Sequence, residues 1–310
     1  MSEISERIDD TLTGAPAEYR TPAVRPALGE AKAWCESLAE THYENFHVAT
    51  WFLPKRLRPH FKTIYAYCRV ADDLGDEVGD PALSTALLAS WRAMLDECYD
   101  APERSRHPVF VALAETVREC AIPREPFADL LVAFTRDQTK TRYETIAELE
   151  DYARYSANPV GRLVLYTAGI DEPRLHALSD KVCTGLQFAN LWQDVSEDYA
   201  AGRVYIPVEE MRRFGVGDPG VLSQWYTPQY RAMMKSLVDH TYGLFTDGRA
   251  ICGMVDPELA VTLGLFIDGG EAILDEIVKM DYNTLEWRPS LSKLTKARLL
   301  VKALWRKVRA

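Results

Sequence analysis

Apolar and polar positions recur with helical period along almost the whole chain. From Ala31 onward the apolar residues fall at spacings of three and four in 31–46, 55–78, 84–99, 107–120, 124–136, 174–198, 227–251, 256–279 and 294–308, with Pro or Gly in most of the breaks. Each of these segments is predicted to be a helix with one buried stripe. Runs that alternate at every second position, the mark of a half-buried strand, are missing, and the briefly extended look of 203–207 fits a connector between helices. The pattern predicts an all-α single domain of ten or more helices packed around one centre. Residues 1–30 carry Pro16, Pro22 and Pro26 among small and polar residues and are expected to form a poorly ordered arm.

Two segments break the apolar pattern with carboxylates. In 65–80 five acids, Asp72, Asp73, Asp76, Glu77 and Asp80, occur within nine residues with no base among them. Asp72 and Asp76 are four apart, so on a helix they share one face about 6 Å apart along the axis, where like charges repel. In 187–198 the residues Asn190, Asp194 and Asp198 follow at i, i+4 and i+8, a polar stripe running two turns along an otherwise apolar helix. Hard oxygen ligands of this kind suit Mg²⁺, which keeps some waters and binds through a few carboxylates plus phosphate oxygens.

A single acidic pair taken alone reads first as a solvated helix face. Two stripes, each embedded in apolar sequence, favour a metal-diphosphate site whose chemistry is ionisation. Mg²⁺ neutralises the charge on departing diphosphate, and a dry aromatic cavity protects the carbocation left behind. Tyr65, Tyr67, Phe46 and Phe188 are candidates for that lining, with ordinary core as their competing fate. Arg69, three residues before Asp72, either locks Asp72 in an ion pair or grips the diphosphate, and Arg203 has the same two readings.

Composition narrows the partners. The chain has 310 residues, 46 Asp and Glu against 36 Lys and Arg, and a net charge of −10, which argues against nucleic acid but not against a Mg²⁺-bound anion. Eight of the acids lie in the two stripes, so the charge excess is expected to belong to the active site. At 47% hydrophobic the chain is long enough to bury a full core without disulfides. Its six cysteines show no C-x-x-C pair, and its N-terminus lacks the order of a signal peptide, as expected for a cytoplasmic protein. The six histidines show no zinc spacing, and no G-x-G-x-x-G follows a strand.

The two stripes and their neighbours resemble the squalene/phytoene synthase family, whose members process isoprenoid diphosphates head to head in an all-α fold with helices around a central hydrophobic cavity. The likeness runs from about residue 31 to 310. The family's Y-x-x-x-R is matched by Tyr65 and Arg69, its D-x-x-x-D by Asp72 and Asp76, and its Q-x-x-N-x-x-x-D-x-x-x-D by Gln187, Asn190, Asp194 and Asp198, with Arg203 downstream. The resemblance implies that Asp72, Asp76, Asn190, Asp194 and Asp198 hold Mg²⁺. It places His42 and Phe46 on the helix lining the diphosphate pocket, Asp137 in the central cavity, and Tyr152 beside the cation. Gln193 stands where commoner members carry Arg, and 156–162 reads S-A-N-P-V-G-R where they read V-A-G-x-V-G. With Glu44-Asn45-Phe46, these forms resemble the bacterial hydroxysqualene synthase branch of hopanoid pathways, which takes presqualene diphosphate. Loss of the Arg removes a charge-assisted donor, in keeping with a pocket for a single diphosphate.

The alternatives within this chemistry are a presqualene diphosphate, squalene or phytoene synthase. A chain-elongating prenyltransferase or terpene cyclase is a further one, since 72–76 is also D-D-x-x-D. A non-catalytic assembly or lipid-binding relative is the alternative from another class. The last helix, 293–310, has seven bases and no acid, with Leu294, Leu300, Val301, Leu304, Trp305 and Val308 between them. It is expected either to touch the inner face of a bacterial membrane peripherally or to pack on an acidic body.

Overall fold

The computed structural model describes residues 12–41, 52–217 and 226–309. Its described residues form thirteen α-helices and no strand. The single β-like feature among them is an isolated parallel bridge between Arg142 and Val204, with Val204 N–H donating to Thr141 O at 2.8 Å. The connector expected at 203–207 is thus held in place by one backbone pairing.

The helices fall into two compact units. The first takes the described residues of Met1–Thr50, Lys55–Lys140 and Leu163–Ile170, and the second those of Trp51–Pro54, Thr141–Arg162 and Asp171–Ala310. In the first lie α1 (Leu28–Thr41), α2 (Arg58–Asp76), α3 (Pro81–Asp100), α4 (Pro108–Cys120) and α5 (Glu125–Asp137). Their shared core is aromatic: Tyr67 is fully buried with Trp91, Phe110 and Phe127 around it, its ring centroid 4.9 Å from that of Phe127. Its hydroxyl donates to Phe127 O at 3.0 Å, so this tyrosine is core, not cation lining.

The second unit begins with α6 (Ile146–Ser156) and the first turns of α7 (Asn158–Thr167). It continues with α8 (Pro173–Gln193), α9 (Val195–Ala200), α10 (Val208–Phe214), α11 (Pro228–Gly248), α12 (Pro257–Lys279) and α13 (Lys293–Arg309). The approach of α7 to α8 is set by Gly161, where a Cβ would stand 2.4 Å from Ser179 Oγ and 2.5 Å from Cys183 Sγ. Beside it Thr184 donates to Asn158 Oδ1 at 3.0 Å and Arg162 pairs with Asp180, so the polar residues of 156–162 fasten one helix to the next. Phe188, also fully buried, packs on Trp192 at 5.5 Å as part of this core.

Starts and stops follow local chemistry. Asp80, His107, Thr145, Thr227 and Asp256 each cap a helix by accepting a backbone N–H of its first turn, and most of these helices carry Pro at their first positions. Three short helices, α6, α7 and α10, lie outside the predicted segments, because ten or eleven residues or fewer give little periodicity to read. Two expectations are corrected. The helix predicted over 174–198 is two helices, interrupted at Asp194 with φ −99° and ψ 12°. The N-terminal arm, expected to be poorly ordered, is anchored between residues 12 and 19, where Leu12, Ala15 and Tyr19 are buried in the first unit's core, while most of 20–30 is exposed.

Candidate active site

The first acidic stripe occupies the end of α2, and the structure sorts its five acids. Asp80 is spent on capping α3, where it accepts from the N–H groups of Ala82 and Leu83. Asp73 is 1% exposed and held from two sides: the Tyr19 hydroxyl donates to its Oδ2, and Arg69 reaches Oδ2 at 3.0 Å and Oδ1 at 2.5 Å. Arg69 also takes Glu77 at 2.9 Å and stands 3.7 Å from Asp72. One arginine therefore neutralises the inward side of the stripe. Asp72 and Asp76 remain on the other side with two negative charges four residues apart. Burial, together with the Asp76 charge and only partly offset by Arg69, pushes the Asp72 carboxyl up to about 6. Tyr65 lies half-buried two turns earlier, and Asp137 is half-buried at the end of α5, which is tied to α2 by Gln138 Nε2 donating to Gly75 O at 3.1 Å.

The second stripe straddles the interruption between α8 and α9. Asn190 donates to Asp194 Oδ2 at 3.1 Å, and the backbone chain Asn190 O, Asp194 N–H, Asp194 O, Asp198 N–H is continuous at 2.9 and 2.8 Å. The i, i+4, i+8 order survives, but it bends at Asp194. After α9, Gly202 at φ +80° turns the chain back, and Arg203 N–H bonds Asp198 O at 2.8 Å. The Asp198 carboxyl is pushed up to about 6 by burial, with Arg203 opposing and the Asp194 and Glu197 charges adding. A water-sized cavity of about 10 Å³ opens among Asp198, Arg203 and Tyr205. Gln187 lies half-buried on α8, while Gln193 is buried and donates to Pro289 O at 2.6 Å.

Two features of the site escaped the sequence reading. Arg288 donates to Asp194 Oδ1 at 2.7 Å and pairs with Glu197 at 3.1 Å, supplying a cation from 94 residues further on, where no spacing could announce it. Tyr152, 4% exposed, is one of three: its ring lies 5.3 Å from Tyr143 and 5.9 Å from Tyr205, which are themselves 5.7 Å apart and stacked. Tyr205 lies in the extended connector, and tyrosines spread over 143–205 leave no local pattern that could have announced the cluster. His42 and Phe46 lie outside the described residues.

The donor sets fit Mg²⁺ in kind. Asp72 with Asp76, and Asn190 with Asp194 and Asp198, offer hard oxygens, and burial together with neighbouring carboxylates raises the proton affinity of Asp72 and Asp198 despite the arginines beside them. Among the described residues no group of three or more His, Cys, Asp or Glu side chains is gathered closely enough to share a metal. Each stripe thus presents its own small set.

Two acidic stripes on separate helices offer hard-oxygen sets of the kind that bind Mg²⁺ beside phosphate oxygens, and comparison with known proteins gives the class. The squalene/phytoene synthase family model matches residues 39–295. The chain belongs to that family, whose members are enzymes acting on prenyl diphosphates. It is 33% identical to a hydroxysqualene synthase of Rhodopseudomonas palustris over 254 residues, covering 81% of this chain and 82% of that one. It is 27% identical to phytoene synthase 1 of Arabidopsis thaliana over 292 residues, 91% of this chain and 68% of the relative. The structure of squalene synthase HpnC from Alicyclobacillus acidocaldarius superposes with a TM-score of 0.78 at 39% identity, covering 88% of this chain and 99% of that one.

Proposed function

We propose that the protein is a Mg²⁺-dependent enzyme of squalene and hopanoid biosynthesis that converts presqualene diphosphate to hydroxysqualene. The observation that carries this reading is Gln193. A neutral amide, turned inward and bonded to Pro289 O, stands beside Asp194 where a charged donor would grip a second diphosphate. Similarity to the hydroxysqualene synthase over four-fifths of both chains supports it.

Asp72 and Asp76 on α2 are the pair that would hold Mg²⁺ in the first unit, and Asn190, Asp194 and Asp198 across α8 and α9 are the set that would hold it in the second. Bound Mg²⁺ would supply neutralisation of the charge that grows on diphosphate as its C–O bond breaks. Arg69 and Arg203 act as fixed cations beside the two sets, Arg69 held rigid by Asp73 and Glu77. Tyr152, Tyr143 and Tyr205 offer aromatic faces that steady the rearranging carbocation. A water molecule then adds to the cation, its oxygen forming the new C–O bond and one proton leaving to solvent, which balances alcohol and free diphosphate against ester and water. No hydride donor is needed.

The test is incubation of the protein and Mg²⁺ with presqualene diphosphate, and separately with farnesyl diphosphate, without NADPH, followed by mass spectrometry. Hydroxysqualene from presqualene diphosphate is expected. A second reading, condensation of two prenyl diphosphates, is favoured by the phytoene synthases among the relatives. Consumption of farnesyl or geranylgeranyl diphosphate on its own would decide for it.

A further inference from the structure

Helix α13 carries seven bases and no acid in a chain whose net charge is −10. Its inner side is fastened to the second unit. Ala303 is 1% exposed against Phe52 and Val261, Lys302 and Arg306 both reach Asp268 at 2.9 Å, and the Lys307 ammonium lies 5.7 Å over the Phe52 ring. The opposite side is apolar and open. Leu294, Val301, Leu304, Trp305 and Val308 are 62, 64, 41, 57 and 87% exposed. At 3.6 residues per turn these five fall within an arc of roughly 100°, on the side away from Ala303. A row of exposed leucine and valine with a tryptophan beside it, over about four turns, has no reason to persist on an isolated soluble surface.

The charges say what covers it. Lys293, Lys296 and Arg298 are exposed and pair with no carboxylate among the described residues. Arg298 borders the apolar arc on one side and Lys293 on the other, while Lys302 is turned to Asp268 and Lys296 lies near the Ala303 side. Trp287, in the turn before the helix, is a further exposed ring at 65%. An apolar stripe with basic margins and tryptophan at its edge is the pattern of a helix lying in the plane of an anionic bilayer. A second copy of this chain is the poorer fit, since two-fold pairing would set one all-basic helix against another. Trp305 also forms one wall of a groove of about 560 Å³, lined with Val255, Pro257, Ala260 and Val261, so the apolar face continues into a recess.

We propose that α13 docks the protein on an anionic lipid surface, with Leu294, Val301, Leu304, Trp305 and Val308 entering the headgroup boundary and Lys293 and Arg298, on the two margins of that stripe, engaging lipid phosphates. The net negative charge of the whole chain orients this docking, because the rest of the molecule is repelled by the surface to which the helix is drawn. The proposal stands independently of the reaction proposed above. Among the described residues no helix is long and apolar enough to cross a membrane, so the attachment is peripheral and reversible.

The test is flotation of the full chain with vesicles of phosphatidylcholine alone and of phosphatidylcholine with about 30% phosphatidylglycerol, at low and at high salt. Binding to the anionic vesicles at least tenfold stronger than to the neutral ones is expected, falling several-fold at high salt. The double variant Val301→Asp, Val308→Asp should lose at least tenfold in binding, and so should Lys293→Glu, Arg298→Glu. All four positions are exposed, so circular dichroism and melting temperature should stay at the parent's values in both variants. Equal binding to both vesicle types, or variants that bind like the parent, would overturn the proposal. So would sedimentation showing a lipid-free dimer that the Val308→Asp change dissolves, because the stripe would then belong to a second copy.

Discussion

His107 ties the N-terminal segment to the first unit, and its protonation should set that unit's acid stability. Its Nδ1 accepts the Val109 N–H as the cap of α4, so the proton sits on Nε2, which donates to Tyr19 O at 3.0 Å. The ring is 1% exposed and packs edge-on against Trp91 at 4.9 Å and Trp34 at 5.6 Å. A second proton would need the lone pair already used by Val109. Burial, only weakly opposed by the Tyr19 carbonyl, lowers the pKa from 6.5 to about 4. Between those values the unfolded chain takes up a proton that the native state refuses. The contribution of the neutral ring is therefore complete above pH 6.5 and is lost as pH falls toward 4. From pH 7 to 4.5 this linkage amounts to roughly 2 kcal/mol.

The control is His107→Asn, whose side-chain oxygen can still cap α4 but cannot titrate. Urea unfolding of both proteins, followed by tryptophan fluorescence across that pH range, isolates the term as the change in their stability difference. The parent should be the more stable at pH 7, by about 2–3 kcal/mol from the lost Tyr19 bond and ring packing, and that advantage should nearly vanish by pH 4.5. A stability difference that stays constant with pH would refute the reasoning, as would an imidazole found to titrate near its ordinary value.

Four further outcomes are expected. Asp76→Asn should cut turnover of presqualene diphosphate by a hundredfold or more while leaving the melting temperature unchanged or higher, because it relieves the repulsion on Asp72; activity measured beside thermal unfolding checks both halves. Tyr19→Phe removes a donor from the buried Asp73 and should cost about 1–3 kcal/mol in urea unfolding. Gly161→Ala drives a methyl into Ser179 and Cys183 and should destabilise the second unit by about 1–3 kcal/mol, seen as a lower urea midpoint. Asp268 would be raised by burial, but Lys302, Arg249 and Arg306 outweigh it and hold its carboxyl below the usual range. Its stabilisation is thus present above the ordinary carboxylate pKa and lost as pH falls through the lowered one, and Asp268→Asn should expose α13 to limited proteolysis at neutral pH.

Periodicity alone revealed the class of fold, the position of the long helices and the two acidic stripes, because helical spacing and carboxylate clustering are local properties written into neighbouring residues. What each acid does was decided elsewhere in the chain. Five acids in 72–80 look equivalent in sequence, yet a tyrosine 54 residues earlier and an arginine one turn back bury Asp73, and the start of α3 consumes Asp80. The net negative charge is therefore shared between structure and site, not reserved for the site as expected. Arg288 reaches Asp194 from 94 positions away, and Gln193 is turned to a proline carbonyl 96 positions on. The bend at Asp194 and the gathering of Tyr143, Tyr152 and Tyr205 have the same origin. Contacts between residues far apart in the chain leave no spacing to read, and those contacts decide which charges are neutralised and which remain for chemistry.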